Sequence, residues 1–478
     1  METKDRIIVA LDVDSLDKAL SLVKELHPYV GYFKVGLELL TSEGAPKVVR
    51  AIKEAGGKVF YDGKFKDIPN TIAGASRAVT RLGVDMFNVH CLGGRAMMKA
   101  ALQAAEEVSK TQGILRPTLL GVTILTSLNY DDLVELGIFD ELNIADPEEL
   151  AKIKRERLES LVAHNLAWLA QECGLDGVIA SPQEIQAIRD YCQPEFQIVT
   201  PGVRPIWAAV GDQKRVMTPG EAIKAGATYL VIGRPITQPP PAIGGPVEAA
   251  KKIAEEIEEE IEKAVRERLL KEHNAIWTFK GLAEEPHALL ASGKHSDGYI
   301  NLNAALQSPQ FCETLAGQLV NELAKYGITK EKIDAVASSS FAAITFGHEV
   351  SRQLGVDFVF TEKEGDEQKW SGRFELLEGA IILQVEELIT TLGTTQKVKQ
   401  AVLDRNPNVK FLEIDGKTVV ATVVHRPDHL PVDYPTHKVI SLIEKEIHIW
   451  DPEKCPLCQQ GSPALKPKPN WQRFIEHR

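Results

Sequence analysis

The sequence is poor in four things, and each shortage excludes a class of protein. No stretch approaches the ~18 consecutive apolar residues of a membrane-spanning helix, and the apolar run in the opening "METKDRIIVALDV" is too short for the core of a secretory signal. Positive charge is not in surplus. The 55 Lys and Arg stand against 67 Asp and Glu, and a net charge of −12 argues against general nucleic-acid binding, which takes clustered basic residues. Cysteine is scarce: Cys91, Cys173, Cys192, Cys312, Cys455 and Cys458 are scattered over 478 residues, as expected of reduced thiols in the cytoplasm rather than of a disulfide framework. Low-complexity tracts are missing as well. With 44% apolar and 26% charged residues the chain reads as globular, and its length predicts two or more domains.

What is present is an alternation. From residue 6 to about 236, short apolar β-branched runs are followed by longer segments with helical spacing. The runs are "RIIVALDV", "GYFKVG", "GKVFYD", "VDMFNVH", "TLLGVTIL", "DGVIA", "FQIVT" and "TYLVIG". Eight strands apolar on both faces, alternating with helices such as "SLDKALSLVKEL" and "GAPKVVRAIKEAG", predict a (β/α)8 TIM barrel, with an open doubly wound sheet as the alternative. The segment "TQPPPAIGGP" (237–246) breaks the pattern with four prolines and two glycines. A charge-laced helix follows, its first part closing the barrel and its second leading into another domain. The expected division is 1–265 and 266–478. Beyond residue 275, strand candidates "DAVAS", "DFVFTEK", "AIILQVE" and "TVVATVVH", with helices "FCETLAGQLVNELAKYG" and "FGHEVSRQLG", predict an open-sheet α/β domain.

In a (β/α)8 barrel the active site is assembled at the carboxyl ends of the strands. The eight runs end on Asp12, Lys34, Asp62, His90, Thr126 with Ser127, Ser181, Thr200, and Gly233 with Arg234. Singly, each has a structural explanation, since an Asp ending a strand commonly caps the next helix. Together they do not. The stretch "FYDGKFKDIPN" (60–70) crowds Asp62, Lys64 and Asp67 within six positions, and Lys34 ends the preceding run. Buried charges at that density are costly unless they pair with one another.

The motifs "FKVG", "DGKFKDIPNT", "FNVHCLGG", "TILTS", "TPGVRP", "GDQKRVMTP" and "VIGRPIT" occur in this order, and through them residues 6–240 resemble orotidine 5'-phosphate decarboxylases. The resemblance implies loss of CO2 from orotidine 5'-monophosphate to give UMP, with no cofactor. Electrostatics must then stabilise a vinyl-type carbanion at C6 of the pyrimidine. By resemblance Asp62 lies against the departing carboxylate, and Lys64, the one ammonium among the three, stabilises and protonates the carbanion. Lys34 and Asp67 complete the network, with Asp67 reaching into the partner's site of a homodimer formed through the barrel. Gly233 and Arg234 are the expected phosphate cradle, Arg204 and Gln213 lie on a loop folding over the nucleotide, Asp12 holds a ribose hydroxyl, and Thr126 and Ser127 meet the pyrimidine edge. Metal-dependent enzymes of the same barrel lineage that act on sugar phosphates share the Asp-x-Lys-x-x-Asp run, with an acid at the strand-two position helping Mg2+. Lys34 in that position, with "ILTS" and "GDQKR", favours the decarboxylase, with no metal held by barrel side chains. The excursion "LGIFDELNIADPEELAKIKRERLES" is expected to be additional surface helix.

The second domain shows "ASGKHSDGYINLN", "FTEKEGDEQKWSGRFEL", "AIILQVEELITTLGTT", "VVHRPD" and "WDPEKCPLCQQGSPA" in the order seen in orotate phosphoribosyltransferases, and residues 275–460 resemble that type I phosphoribosyltransferase family. The resemblance implies that Glu386 and Glu387 hold the ribose hydroxyls of phosphoribosyl diphosphate, and that Thr390, Thr391, Gly393 and Thr394 hold its 5'-phosphate. Lys363 contacts the diphosphate, Lys369 and Arg373 lie on a flexible loop, Arg426 binds the orotate carboxylate, and Lys294 or His295 meets substrate near the domain's hood. Mg2+ is needed if this domain is active. Three departures stand out: Glu387 where Asp is usual, Leu392 where Gly is usual, and a glycine-free "SSSFAA" loop. The favoured reading is a bifunctional, UMP synthase-like protein with the decarboxylase first. The alternative keeps the decarboxylase and makes the second domain an inactive binding or oligomerisation module. Cys455 and Cys458 have zinc-like spacing, but a structural site takes four ligands. With no second Cys pair or close His pair beside them, zinc is not expected.

Overall fold

The computed structural model describes residues 1–208, 217–281 and 284–476. The chain divides into two compact units, Met1–Glu262 and Lys263–Arg478, where the sequence-based division falls at 265. The described residues of the first unit close a parallel barrel in chain order: β1 (Ile7–Ala10), β2 (Tyr32–Val35), β3 (Val59–Phe65), β4 (Met86–His90), β5 (Thr118–Val122), β6 (Gly177–Ile179), β7 (Gln197–Pro201) and β8 (Tyr229–Ile232). Each of the eight apolar runs is one of these strands. The runs lack polar alternation because both faces are buried. Ile8, Ala10, Phe60, Met86, Leu120 and Val231 fill the barrel, while Ile7, Val9, Phe33, Val35, Phe87 and Val89 pack outward against the helices. The helix Leu16–Leu26 shows how the outer layer is made: Leu16, Ala19, Val23 and Leu26 recur at helical spacing and are all buried.

The excursion after β5 is longer than a surface helix. Asp146 accepts hydrogen bonds from the Glu148 and Glu149 N–H groups and caps the helix Pro147–Ser160. A π-helical stretch, Leu161–Ala167, continues it and buries Val162, Ala163, Leu166 and Ala167. The helix Pro246–Glu272 gives Ala250, Ile253 and Ile257 to the core of the first unit and Leu270 to that of the second.

In the second unit the strands Asp357–Glu364, Ala335–Ser338, Ile381–Ile389, Lys417–His425 and His437–Glu444 lie side by side in that order, all parallel. The last of them had no counterpart among the strand candidates. A separate small sheet orders Ile449–Trp450, His295–Ser296, His287–Leu289 and Ala464–Leu465. One expectation is corrected here. The segment around Lys369 is not a loop but the strand Glu367–Trp370, paired antiparallel with Asp357–Glu364. Gly365, at φ 62°, and Asp366 form the two-residue turn that a tight hairpin requires. Among the described residues no helix is long and apolar enough to cross a membrane.

Candidate active sites

The mouth of the barrel is shaped by an irregularity in β3. Tyr61 pairs with Phe87 and Phe65 with Val89, so four steps of β3 run against two of β4. The extra length bulges, and Lys64 takes a left-handed backbone with φ 47°. Asn88, opposite the bulge, replaces the missing ladder bonds with its side chain. Its Oδ1 accepts from the Lys64 N–H at 2.7 Å, and its Nδ2 donates to Asp62 Oδ1 at 2.7 Å. Asn88 is buried. Reading only the last residue of each run misses it, but it lies two residues from the inward-facing Met86, and that alternation could have found it.

Asp62 is the hub. Its Oδ2 lies 2.8 Å from Lys64 Nζ and 3.1 Å from Lys34 Nζ, and Lys34 Nζ also lies 3.3 Å from Asp12 Oδ1. Burial alone would raise the Asp62 carboxyl, but Lys34, Lys64 and the Asn88 hydrogen bond outweigh it and hold Asp62 below the ordinary carboxylate range. For Lys34, burial pulls the ammonium down, and Asp62 and Asp12 more than restore it, to above its usual value. A buried carboxylate thus stays charged between two ammonium groups.

This network lines a cavity of about 290 Å³ together with Thr126, Arg204, Gly233 and Arg234. Asp12, Lys34, Asp62 and Lys64 are therefore brought together with four of the expected binding residues. Ser127 and Asp67 are not. Ser127 sits exposed in the turn beside Thr126, and Asp67 is exposed at the start of the helix Pro69–Arg81, accepting from the Ile68 N–H at 2.6 Å. Gln213 lies outside the described residues. His90 ends β4, Thr200 stands one residue before the end of β7 and Ser181 two residues past β6, and none of the three lines the cavity. Burial, aided by Lys66 and Lys64, pushes the His90 imidazole below its usual range.

Comparison with known proteins adds the lineage. The family described as orotidine 5'-phosphate decarboxylase / HUMPS matches residues 5–253. The chain belongs to this family. Among curated relatives, the orotidine 5'-phosphate decarboxylase of Moorella thermoacetica is 53% identical over 257 residues, covering 54% of this chain and 93% of its own length. That of Syntrophomonas wolfei is 49% identical over 256 residues, covering 54% of this chain and 99% of its own. A crystal structure of orotidine 5'-phosphate decarboxylase from Lactobacillus acidophilus is 32% identical, covers 52% of this chain and 98% of its own, and has a TM-score of 0.42.

Beyond the decarboxylase/HUMPS-family unit, the second unit has a pocket of its own at the carboxyl ends of its central strands. It measures about 540 Å³ and is lined by Lys363, Glu386, Glu387, Thr390, Thr391, Gly393 and Thr394, among others. Glu386 is buried, accepting from Ser339 Oγ at 2.5 Å and Gln384 Nε2 at 3.1 Å. Burial, reinforced by Glu387 and opposed by the Ser339 hydrogen bond, raises it to about 7. Burial raises Glu387 as well. Leu392 does not line the pocket, because its side chain turns into an apolar cluster with Ile389 and Val420.

The remaining expected residues do not line this pocket. Lys369 pairs with Glu364, and Arg373 with Glu362 at 3.4 Å. Lys294 lies 3.5 Å from Asp451. Arg426 donates its backbone N–H to the Ile389 carbonyl at 2.7 Å, and burial lowers its guanidinium. One premise about Cys455 and Cys458 is corrected, since a histidine pair does stand beside them. His287 and His295 come to meet them, and the four offer ligand atoms within 4.8 Å of one another. Sequence distance hid the pairing, since His287 is 168 residues from Cys455. His295 faces this cluster and does not line the pocket around Glu386 and Glu387.

Proposed function

We propose that the first unit decarboxylates orotidine 5'-monophosphate to UMP by electrostatics alone. The observation that carries this reading is Lys34, whose ammonium bridges Asp12 and Asp62. An acid in that position would leave carboxylates seeking a divalent cation, and the ammonium neutralises them instead. The Asp62 carboxylate then faces the substrate carboxylate and disfavours it, while Lys64, 2.8 Å away, attracts the developing carbanion and delivers the proton. Arg204, Arg234 and Gly233 on the cavity wall hold the phosphate, Asp12 the ribose, and Thr126 the pyrimidine edge. The exposure of Asp67 supports its expected reach into the partner's site in a homodimer. Lys64→Ala should lower kcat by at least roughly 10³-fold with the circular dichroism spectrum unchanged. Near-full activity in a folded variant would remove Lys64 from the mechanism.

The second unit is read as an orotate phosphoribosyltransferase supplying the first unit's substrate, in the cytoplasm. Support comes from the pocket that gathers Glu386, Glu387 and the 390–394 loop, and from Leu392 pointing away from it, so that the bulk replacing the usual Gly does not fill the phosphate position. Mg2+ would neutralise and orient the diphosphate leaving group. Glu386 and Glu387 fit it as oxygen donors of the kind magnesium shares with substrate phosphates. The full chain carrying Lys64→Ala, given orotate, phosphoribosyl diphosphate and Mg2+, should accumulate orotidine 5'-monophosphate. No turnover and no binding of the diphosphate sugar would leave the inactive-module reading.

A further inference from the structure

Away from both pockets, four metal-ligating side chains of the second unit converge. His287 and His295 lie on neighbouring antiparallel strands, His287–Leu289 and His295–Ser296, with Leu289 opposite His295. His287 is two residues from Leu289, so both imidazoles leave the same face of the sheet. Cys455 caps the short helix Pro456–Gln459, and Cys458 follows one turn later on the same side.

The distances suit one ion. Cys455 Sγ and Cys458 Sγ lie 3.7 and 3.5 Å from His287 Nε2. Cys458 Sγ lies 3.2 Å from His295 Nδ1, and the two nitrogens are 2.9 Å apart. A tetrahedron with metal–sulfur bonds of ~2.3 Å and metal–nitrogen bonds of ~2.0 Å has edges of roughly 3.3–3.8 Å. Ligand closure therefore asks only small movements of side-chain tips.

A second layer orients the ligands. Ser462 Oγ donates its one proton to the Glu285 carbonyl at 2.6 Å, so toward His287 Nδ1, 2.9 Å away, it can only accept. The Nδ1 of His287 thereby keeps its proton, and a bare Nε2 is presented to the cluster, the arrangement that supports a metal-bound imidazole. His287, His295 and Cys455 are buried, and Cys458 stands at the exposed edge.

We propose that His287, His295, Cys455 and Cys458 form a tetrahedral structural zinc site. Four protein ligands leave no open coordination position, which distinguishes a structural from a catalytic site. Two sulfurs and two imidazole nitrogens in this geometry select zinc. On binding, each thiol loses its proton to solvent, and the two thiolates balance the dication, so the buried site is neutral. The site ties the hairpin at 287–296 to the segment 449–465, and these contribute every strand of the small sheet. Each strand is only two or three residues long. Ladders that short do not hold on their own, and the metal supplies the missing constraint.

Full-length protein, purified without chelator and with any affinity tag removed, should retain close to one zinc per chain by mass spectrometry of the elements. Reconstituted with Co2+, it should show the intense visible bands of tetrahedral cobalt and a thiolate charge-transfer band, which falls by about half in Cys458→Ser. The double variant Cys455→Ser/Cys458→Ser should bind no zinc while still decarboxylating orotidine 5'-monophosphate. Less than a tenth of an equivalent of zinc both as isolated and after reconstitution would overturn the proposal. So would a Cys455–Cys458 disulfide in protein from a reducing host cytosol, full zinc in the double variant, or an octahedral cobalt spectrum without thiolate charge transfer.

Discussion

Asn88 shows how much a neutral side chain can matter in a charged site. It gives Asp62 one hydrogen bond and takes another from the Lys64 backbone, so Asn88→Ala removes a partner from a buried carboxylate and frees the bulge. The expected cost is about 2–3 kcal/mol of stability and a roughly 10–100-fold loss in kcat, read by denaturant melts and steady-state kinetics. The sign of the pH effect follows from Asp62. Its folded-state pKa is lowered, so its contribution is present above the ordinary carboxylate range and is lost as pH falls through the lowered value. Without Asn88 that loss should be smaller and complete at a higher pH in thermal scans. Glu386 runs the other way. With its pKa raised from 4.5 to about 7, the folded state keeps a proton that the unfolded chain has released, and stability falls as pH rises across that window. Glu386→Gln should therefore flatten the profile and melt higher than the parent at pH 8, by about 1–2 kcal/mol, while abolishing transferase turnover.

At the level of the element, β3 is the piece to perturb. A Cβ on Gly63 would come within 2.5 Å of the Tyr61 ring and 2.9 Å of the Phe65 ring, so Gly63→Ala must shift those rings or the bulge between them that presents Asp62 and Lys64. A shift of about 1 Å at such a site costs roughly 10²-fold, and kcat should fall by that order with KM changed less. The strands themselves were legible because barrel strands buried on both faces are written as unbroken apolar runs, and the ends of five of them, at Asp12, Lys34, Asp62, Thr126 and Gly233 with Arg234, line the cavity. What periodicity could not announce was geometry that departs from period two. Period two by itself sets Asp62 and Lys64 on one side, but it does not show the register shift that turns the Lys64 N–H to Asn88 of the next strand. In the second unit, "EGDE" reads as loop until the pairing of Thr361 with Trp370 makes it a hairpin. The Cys and His ligands were invisible for another reason: linear spacing carries no signal for side chains that only folding brings together.

For the molecule as a whole, the two chemistries should separate cleanly under chelation. With orotidine 5'-monophosphate as substrate, a strong chelator should leave turnover within about twofold, because lysines do the work of a cation in the barrel. With orotate and phosphoribosyl diphosphate, the same treatment should stop UMP formation, and Mg2+ together with Zn2+ should restore it. Loss of the first activity would revive a metal in the barrel. The backbone at Lys64 has a different kind of consequence, one for lineages. A left-handed φ of 47° is a conformation that glycine adopts freely and lysine adopts at a cost of about 1–2 kcal/mol. A population of these chains selected only to survive heat, with uracil supplied from outside, should reach glycine at position 64 only together with a neutral residue at 62, because glycine alone strips buried Asp62 of one ammonium partner. Cells forced to make their own pyrimidines would hold the strained lysine in place.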